Sequence, residues 1–284
     1  MPITSDSVFT YGFILCVVAI ACAIPLYSLI RRNAPERAWN RHGNVSTAAL
    51  NKVDLLGLGL FLGIYAVFLI FSQMPPELGA DGMPKQIRIT PLVLIAGMIT
   101  QIVPAVMVIV LLLFRGTNFS EFFGLRWKHA MYLIVIAPLG VILAYAFVIS
   151  LNVLGYDAWL HGYFGEDSKI QETVRVYQET SAITIRGMLA VSVVLIAPVV
   201  EEIVFRGYIY TATKRFTDRF FAAIFTSLLF GIVHFNINAL LPLVFLALIL
   251  TLAYELTGSL WAPISIHTLF NASTLINLEM QMPG

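Results

Sequence analysis

Apolar stretches of about twenty residues, each long enough to cross the hydrocarbon of a bilayer, recur along the whole of this 284-residue chain. Eight helical spans are expected, over residues 8–30, 53–73, 90–114, 131–153, 187–214, 220–236, 238–256 and 260–278. The sixth and seventh are short and nearly contiguous, so seven spans with one of these broken or re-entrant is the alternative count. Composition agrees with a lipid environment: 59% of residues are hydrophobic and 12% charged, about half the charge a water-facing surface requires. The fold class expected is therefore an all-α, polytopic integral membrane protein. Seventeen basic against sixteen acidic side chains leave a formal charge of +1. That gives no global attraction to nucleic acid or to an acidic substrate.

Charge distribution sets an expected topology. Basic residues collect in loops 31–52 (Arg31, Arg32, Arg37, Arg41, Lys52), 115–129 and 214–219, which should therefore be cytoplasmic. The N-terminal tail has no basic residue, and the polar segment 155–182 has an acidic excess, so the N-terminus is expected to face outward. The first apolar run is long, lacks a basic leader and ends in Arg31-Arg32, as an uncleaved span would. The cytoplasmic membrane is the expected location. Cys16 and Cys22 lie on that span about 240° apart, too far round the helix to pair, and read as small apolar residues. The aromatic and charged segment 118–127 reads as an interfacial anchor.

Three charges interrupt the fifth span, at Glu201, Glu202 and Arg206. Each charge near mid-bilayer costs about 2.5–3.5 kcal/mol on insertion scales, so each needs a reason to be there. Glu202 and Arg206 are four apart with the acid first, the favourable order for an ion pair on one helix face. Glu201 points about 100° away from that pair. Further polar groups sit in Phe230-Gly-Ile-Val-His234 and His267-Thr-Leu-Phe-Asn271. Taking Thr217 as the tip of a helical hairpin, Glu201 lies sixteen residues before it and His234 seventeen after, roughly 25 Å up each arm. The carboxylate and the imidazole should then share a level, with His267 and Asn271 brought close by the last helix. Pro198 should bend the helix beside the carboxylate. A Glu, two His and an Asn in a dry interior fit amide hydrolysis. Glu201 would be the base toward water, His234 would orient that water, and His267 and Asn271 would donate to the oxyanion.

Glu201-Glu202-x-x-x-Arg206, Phe230-x-x-x-His234 and His267-x-x-x-Asn271, in this order, resemble the motifs of the CPBP family of intramembrane proteases, which includes the Rce1-type CAAX prenyl endopeptidases. The resemblance covers about residues 183–278. It implies an eight-span helical fold around a cavity open to the cytosol and the membrane. It also implies Glu201 and His234 as activators of water, His267 and Asn271 as the oxyanion hole, and Glu202, Arg206 and Phe230 as supports. Residues 183–278 would be the catalytic core, and residues 1–182, with the polar loop 155–182, an N-terminal transmembrane region carrying no signature. The expected partners are the bilayer and a membrane-associated peptide or protein substrate. The favoured mechanism requires no cofactor. The thin set Glu201, His234 and His267 is the one candidate for a divalent metal, since HExxH is absent. A proton-coupled transporter, with the buried charges as a relay, is the competing class, followed by a catalytically silent scaffold.

Overall fold

The computed structural model describes residues 4–33, 43–74, 89–164 and 172–281, and among these the regular structure is entirely helical. The helices are α1 (Ser5–Asn33), α2 (Asp54–Ser72), α3 (Pro91–Leu113), α4 (Phe119–Phe122), α5 (Leu133–Val153), α6 (Tyr156–Phe164), α7 (Glu172–Glu179), α8 (Ile183–Phe216), α9 (Arg219–Ile232), α10 (Ile237–Thr257) and α11 (Trp261–Gln281). Arg37 and Arg41, which count toward the expected topology, and residues 165–171 of the polar segment lie outside the described residues.

Six of the expected spans, α1, α2, α3, α5, α8 and α10, are long and apolar enough to cross a membrane, which makes this a multi-pass membrane protein. The other two are present as helices of a different kind. At 14 residues, α9 spans about 21 Å, short of the roughly 30 Å hydrocarbon core. It is sheathed by α8, α10 and α1, and Leu229 and Phe230 are fully buried. The 21-residue α11 carries His267, Asn271, Asn277 and Glu279 and packs along α5, α10 and α8. Each packs on protein along one side and is open on the other, where α9 exposes Phe220, Ile224 and Leu228 and α11 exposes Trp261, Ile276 and Met280.

Local chemistry explains where elements begin and end. Asp218 caps α9 by accepting from the N–H groups of Phe220 and Phe221 at 2.8 and 2.9 Å, and Asn236 caps α10 through Ala239 N–H at 3.0 Å. Gly258 ends α10 with φ of 68°, the left-handed conformation that glycine takes without strain. The segment 118–127 is more than an interfacial anchor. Phe122 and Phe123 are buried, Leu260 N–H donates to the Phe123 carbonyl at 2.9 Å, and Gly124 sits against the Gly258 carbonyl where a Cβ could not fit. It is a wedge under the α10–α11 turn.

The three basic loops do meet on one end of the bundle, but much of their charge is structural. Arg31 donates to the carbonyls of Thr217 and Arg215, and Tyr27 donates to Asp218. Arg115 binds Asp54 at 2.7 Å, and Tyr208 donates to the same carboxylate at 3.1 Å. Lys214, fully buried, binds both oxygens of Glu255 at 2.7 and 2.8 Å and the Val45 carbonyl at 3.0 Å, while Tyr210 adds a 2.7 Å bond to Glu255. In the sequence these basic residues only set topology. Hydropathy counting could not distinguish a loop lysine that faces solvent from one folded under the next loop.

Removing one partner of a buried pair leaves the other charge without compensation, at a cost of about 3–5 kcal/mol. Lys214→Ala should therefore lower the melting temperature in detergent sharply. Lys214→Ala combined with Glu255→Ala should recover part of the loss, as a thermal unfolding series would show.

Candidate active site

The site is built on α8, whose 34 residues are not a uniform α-helix. Residues 197–202 keep α-helical turns, while 192–196 and 203–210 are widened to π-helical turns. Pro198 accounts for the first. Ala197 N–H reaches back five residues to the Ser192 carbonyl, and the next bond in that series would run from Pro198 to Val193. Proline has no N–H to give. The Val193 carbonyl accepts instead from Asn271 Nδ2 at 2.9 Å, which ties α11 to α8 about two turns before Glu201. The bend expected at Pro198 is thus a widening, satisfied from outside the helix. Such bulges are rare and recur at functional sites.

Glu202 is fully buried, and its Oε1 accepts from Arg206 Nη1 at 3.0 Å and from His267 Nδ1 at 2.8 Å. The ion pair read from the spacing is therefore present, with a third member the spacing could not reveal. Arg206 extends the network through Nη2 to the Ala247 carbonyl of α10 at 3.2 Å, and its guanidinium lies 4.7 Å from the centre of the Phe230 ring. Phe230 is the hub of the aromatic packing. Its ring contacts those of Phe205, His234 and His267 at centroid distances of 5.0, 4.5 and 6.0 Å.

His234 lies just beyond the end of α9, and its Nδ1 bonds the Phe230 carbonyl at 2.6 Å. A carbonyl only accepts, so Nδ1 carries the proton and Nε2 is turned toward Glu201. The same holds for His267, whose Nδ1 faces Glu202. The two Nε2 atoms converge on Glu201 Oε2, His234 at 3.9 Å and His267 at 3.8 Å. That oxygen has no hydrogen-bond partner among the described residues. The separations are too long for direct bonds and suit a bridging water. The Glu201 and His234 side chains are 23% and 22% exposed, against 4% for His267, while Glu201 Oε2 itself is buried between the two rings.

Glu201, Glu202, Arg206, Phe230, His234 and His267 thus form one cluster, with Asn271 at its edge. The Phe235 turn beside it is not legible from sequence. Phe235 adopts φ of 49°, an uncommon conformation for a bulky residue, and its ring packs edge-on against Phe9 of α1 at 5.9 Å. This turn separates the end of α9 at Ile232 from the start of α10 at Ile237.

As a metal site, the trio Glu201, His234 and His267 fits poorly. No His, Cys, Asp or Glu group among the described residues is arranged to hold an ion. Ligands about 2.1 Å from a common tetrahedral centre lie about 3.4 Å apart, closer than the 3.8 and 3.9 Å separations found.

Comparison with known proteins converges on the same stretch of chain. Residues 185–273 match the model of the family described as type II CAAX prenyl endopeptidase Rce1-like. All seven site residues fall within the matched residues. The chain is also 31% identical over 113 residues to the candidate membrane peptidase YdiL of Bacillus subtilis (strain 168), a match that covers 40% of this chain and 45% of that relative. No solved structure matches.

Within the site, Glu202 holds two cationic or donor groups and Glu201 holds none directly. Glu202→Ala should therefore destabilise the protein by about 3–5 kcal/mol, and Glu201→Ala by clearly less. Melting temperatures of the two variants in one detergent check this, and equal shifts would contradict it.

Proposed function

We propose that this protein is an intramembrane endopeptidase of the glutamate-dependent, Rce1-type class, acting on a membrane-associated peptide or protein. The observation that carries the reading is the convergence of two imidazole Nε2 atoms on one unpartnered carboxylate oxygen of Glu201. A water held between Glu201 and His234 is deprotonated by Glu201 as it attacks the scissile carbonyl. The oxyanion accepts from His267 in its imidazolium form, which donates through Nε2 while Nδ1 stays on Glu202, and from the remaining N–H of Asn271. Glu201 then returns the proton to the leaving amine, so the bond hydrolysed consumes one water and nothing else. No step requires a metal. Loss of one oxyanion donor costs about 2.7–4 kcal/mol of transition-state stabilisation in enzymes that use such donors.

The protein sits in the cytoplasmic membrane with its N-terminus outward. The Arg31, Lys214 and Arg115 end faces the cytosol, and cleavage occurs near that leaflet. Residues 183–278 supply the chemistry, and residues 1–182 the walls and access. Convergence of tightly oriented groups on one oxygen favours hydrolysis over the relay expected of a proton-coupled transporter.

Cells making the Glu201→Gln form should accumulate uncut membrane substrates relative to cells making wild type, at equal expression and with unchanged melting temperature. Quantitative comparison of the two membrane proteomes reads this out. Identical cleavage patterns would overturn the assignment of Glu201 as the base.

A further inference from the structure

The donor inventory of the site is short. Asn271 already gives one N–H to the Val193 carbonyl, and His267 gives its Nδ1–H to Glu202. One aromatic donor near the same carboxylate is uncommitted, and it comes from the N-terminal region, outside the matched residues 185–273. Tyr65 lies on α2, which runs along the outer face of α8. Gly57 packs against the Tyr208 hydroxyl where a Cβ could not fit, Phe61 packs on the Tyr208 ring at 5.6 Å, and Tyr65 packs on the Phe205 ring at 5.6 Å. These three α2 residues are four apart and share one face. They step from Tyr208 to Phe205, toward the Glu201 end of α8. Phe205 in turn abuts Phe230, and Phe230 abuts His234, so Tyr65 completes an aromatic wall beside the site. Its phenol lies within electrostatic reach of the Glu201 carboxylate, and no hydrogen bond joins it to a described residue. A half-buried tyrosine usually finds a partner for its hydroxyl. Here no described residue supplies one, which leaves the hydroxyl free for a ligand.

We infer that Tyr65 is a further catalytic residue, whose phenol O–H donates a hydrogen bond to the carbonyl oxygen of the scissile peptide as negative charge develops on it. The inference rests on the hydrolytic reading of the Glu201 site. It makes the N-terminal region a contributor to the chemistry and not only a wall. No proton leaves Tyr65: the oxygen accepts the bond while Glu201 carries the proton from water to amine.

The test compares full-length wild type, Glu201→Gln, Tyr65→Phe and Tyr65→Leu in liposomes, using as probe the membrane peptides that wild type cuts. Tyr65→Phe keeps the ring on Phe205 and removes only the hydroxyl. It should melt with wild type, keep KM within a few-fold and lose about 10²–10³-fold in kcat, the cost of one transition-state donor. Tyr65→Leu should lose the same activity and melt lower. Unchanged kcat in Tyr65→Phe, or a rise in KM alone, overturns the role of Tyr65 while leaving the hydrolytic reading intact. A Tyr65→Phe melting shift as large as that of Tyr65→Leu overturns it too. Equal cleavage by wild type and Glu201→Gln overturns the parent reading, and this inference with it.

Discussion

One buried carboxylate oxygen, Glu202 Oε1, accepts at once from a guanidinium on its own helix and from an imidazole on α11. In a low-dielectric interior neither the acid nor the arginine could be left alone, so the pair must form. Once formed, it fixes much of what surrounds it. Arg206 is drawn against the Ala247 carbonyl of α10 and over the Phe230 ring, which sets how α8, α9 and α10 pack. His267 is held with Nδ1 inward and Nε2 toward Glu201, and Phe230 does the same for His234 through its carbonyl. The chemistry of the proposed base therefore depends on a neighbour that never touches substrate.

The bilayer imposes a second constraint, that every backbone group be satisfied without water. Pro198 breaks that rule at Val193, and Asn271 repairs it. The same side chain is thus a structural brace and a proposed oxyanion donor, which its two amide hydrogens allow. At the basic end, Lys214 and Glu255 together pin residue 45 beneath the α8–α9 turn, and Arg31 ties α1 to the same turn. The hairpin that carries Glu201 and His234 is clamped at its tip, so its two arms cannot slide out of register.

That register was legible in sequence because a hairpin of constant rise has only one length to count. Sixteen and seventeen residues from Thr217 predict a shared level, and Glu201 and His234 lie 3.9 Å apart. The Glu202–Arg206 pair was legible for the same reason, since four residues is one helical turn. What spacing could not show were contacts between elements distant in the chain. Glu202 to His267, Asn271 to Val193, Lys214 to Val45 and Tyr65 to Phe205 all join helices whose rotation about their axes depends on packing. The π-helical turns were hidden because they change the very period on which the reading relies. Of the eight expected spans, six are long and apolar enough to cross a membrane, while α9 is shorter and α11 carries more polar residues.

The central claim is that Glu201 and His234 act on one water as a unit, and a kinetic double-mutant cycle tests it most directly. Single-turnover cleavage by Glu201→Gln, His234→Ala and the double variant should each fall by at least about 10²–10⁴-fold, the worth of general acid–base catalysis. The double variant should be no slower than the slower single one, because a unit can be lost only once. Losses that multiply, or a Glu201→Gln enzyme that still cuts, would show that the two residues do not share the reacting water and would contradict this account.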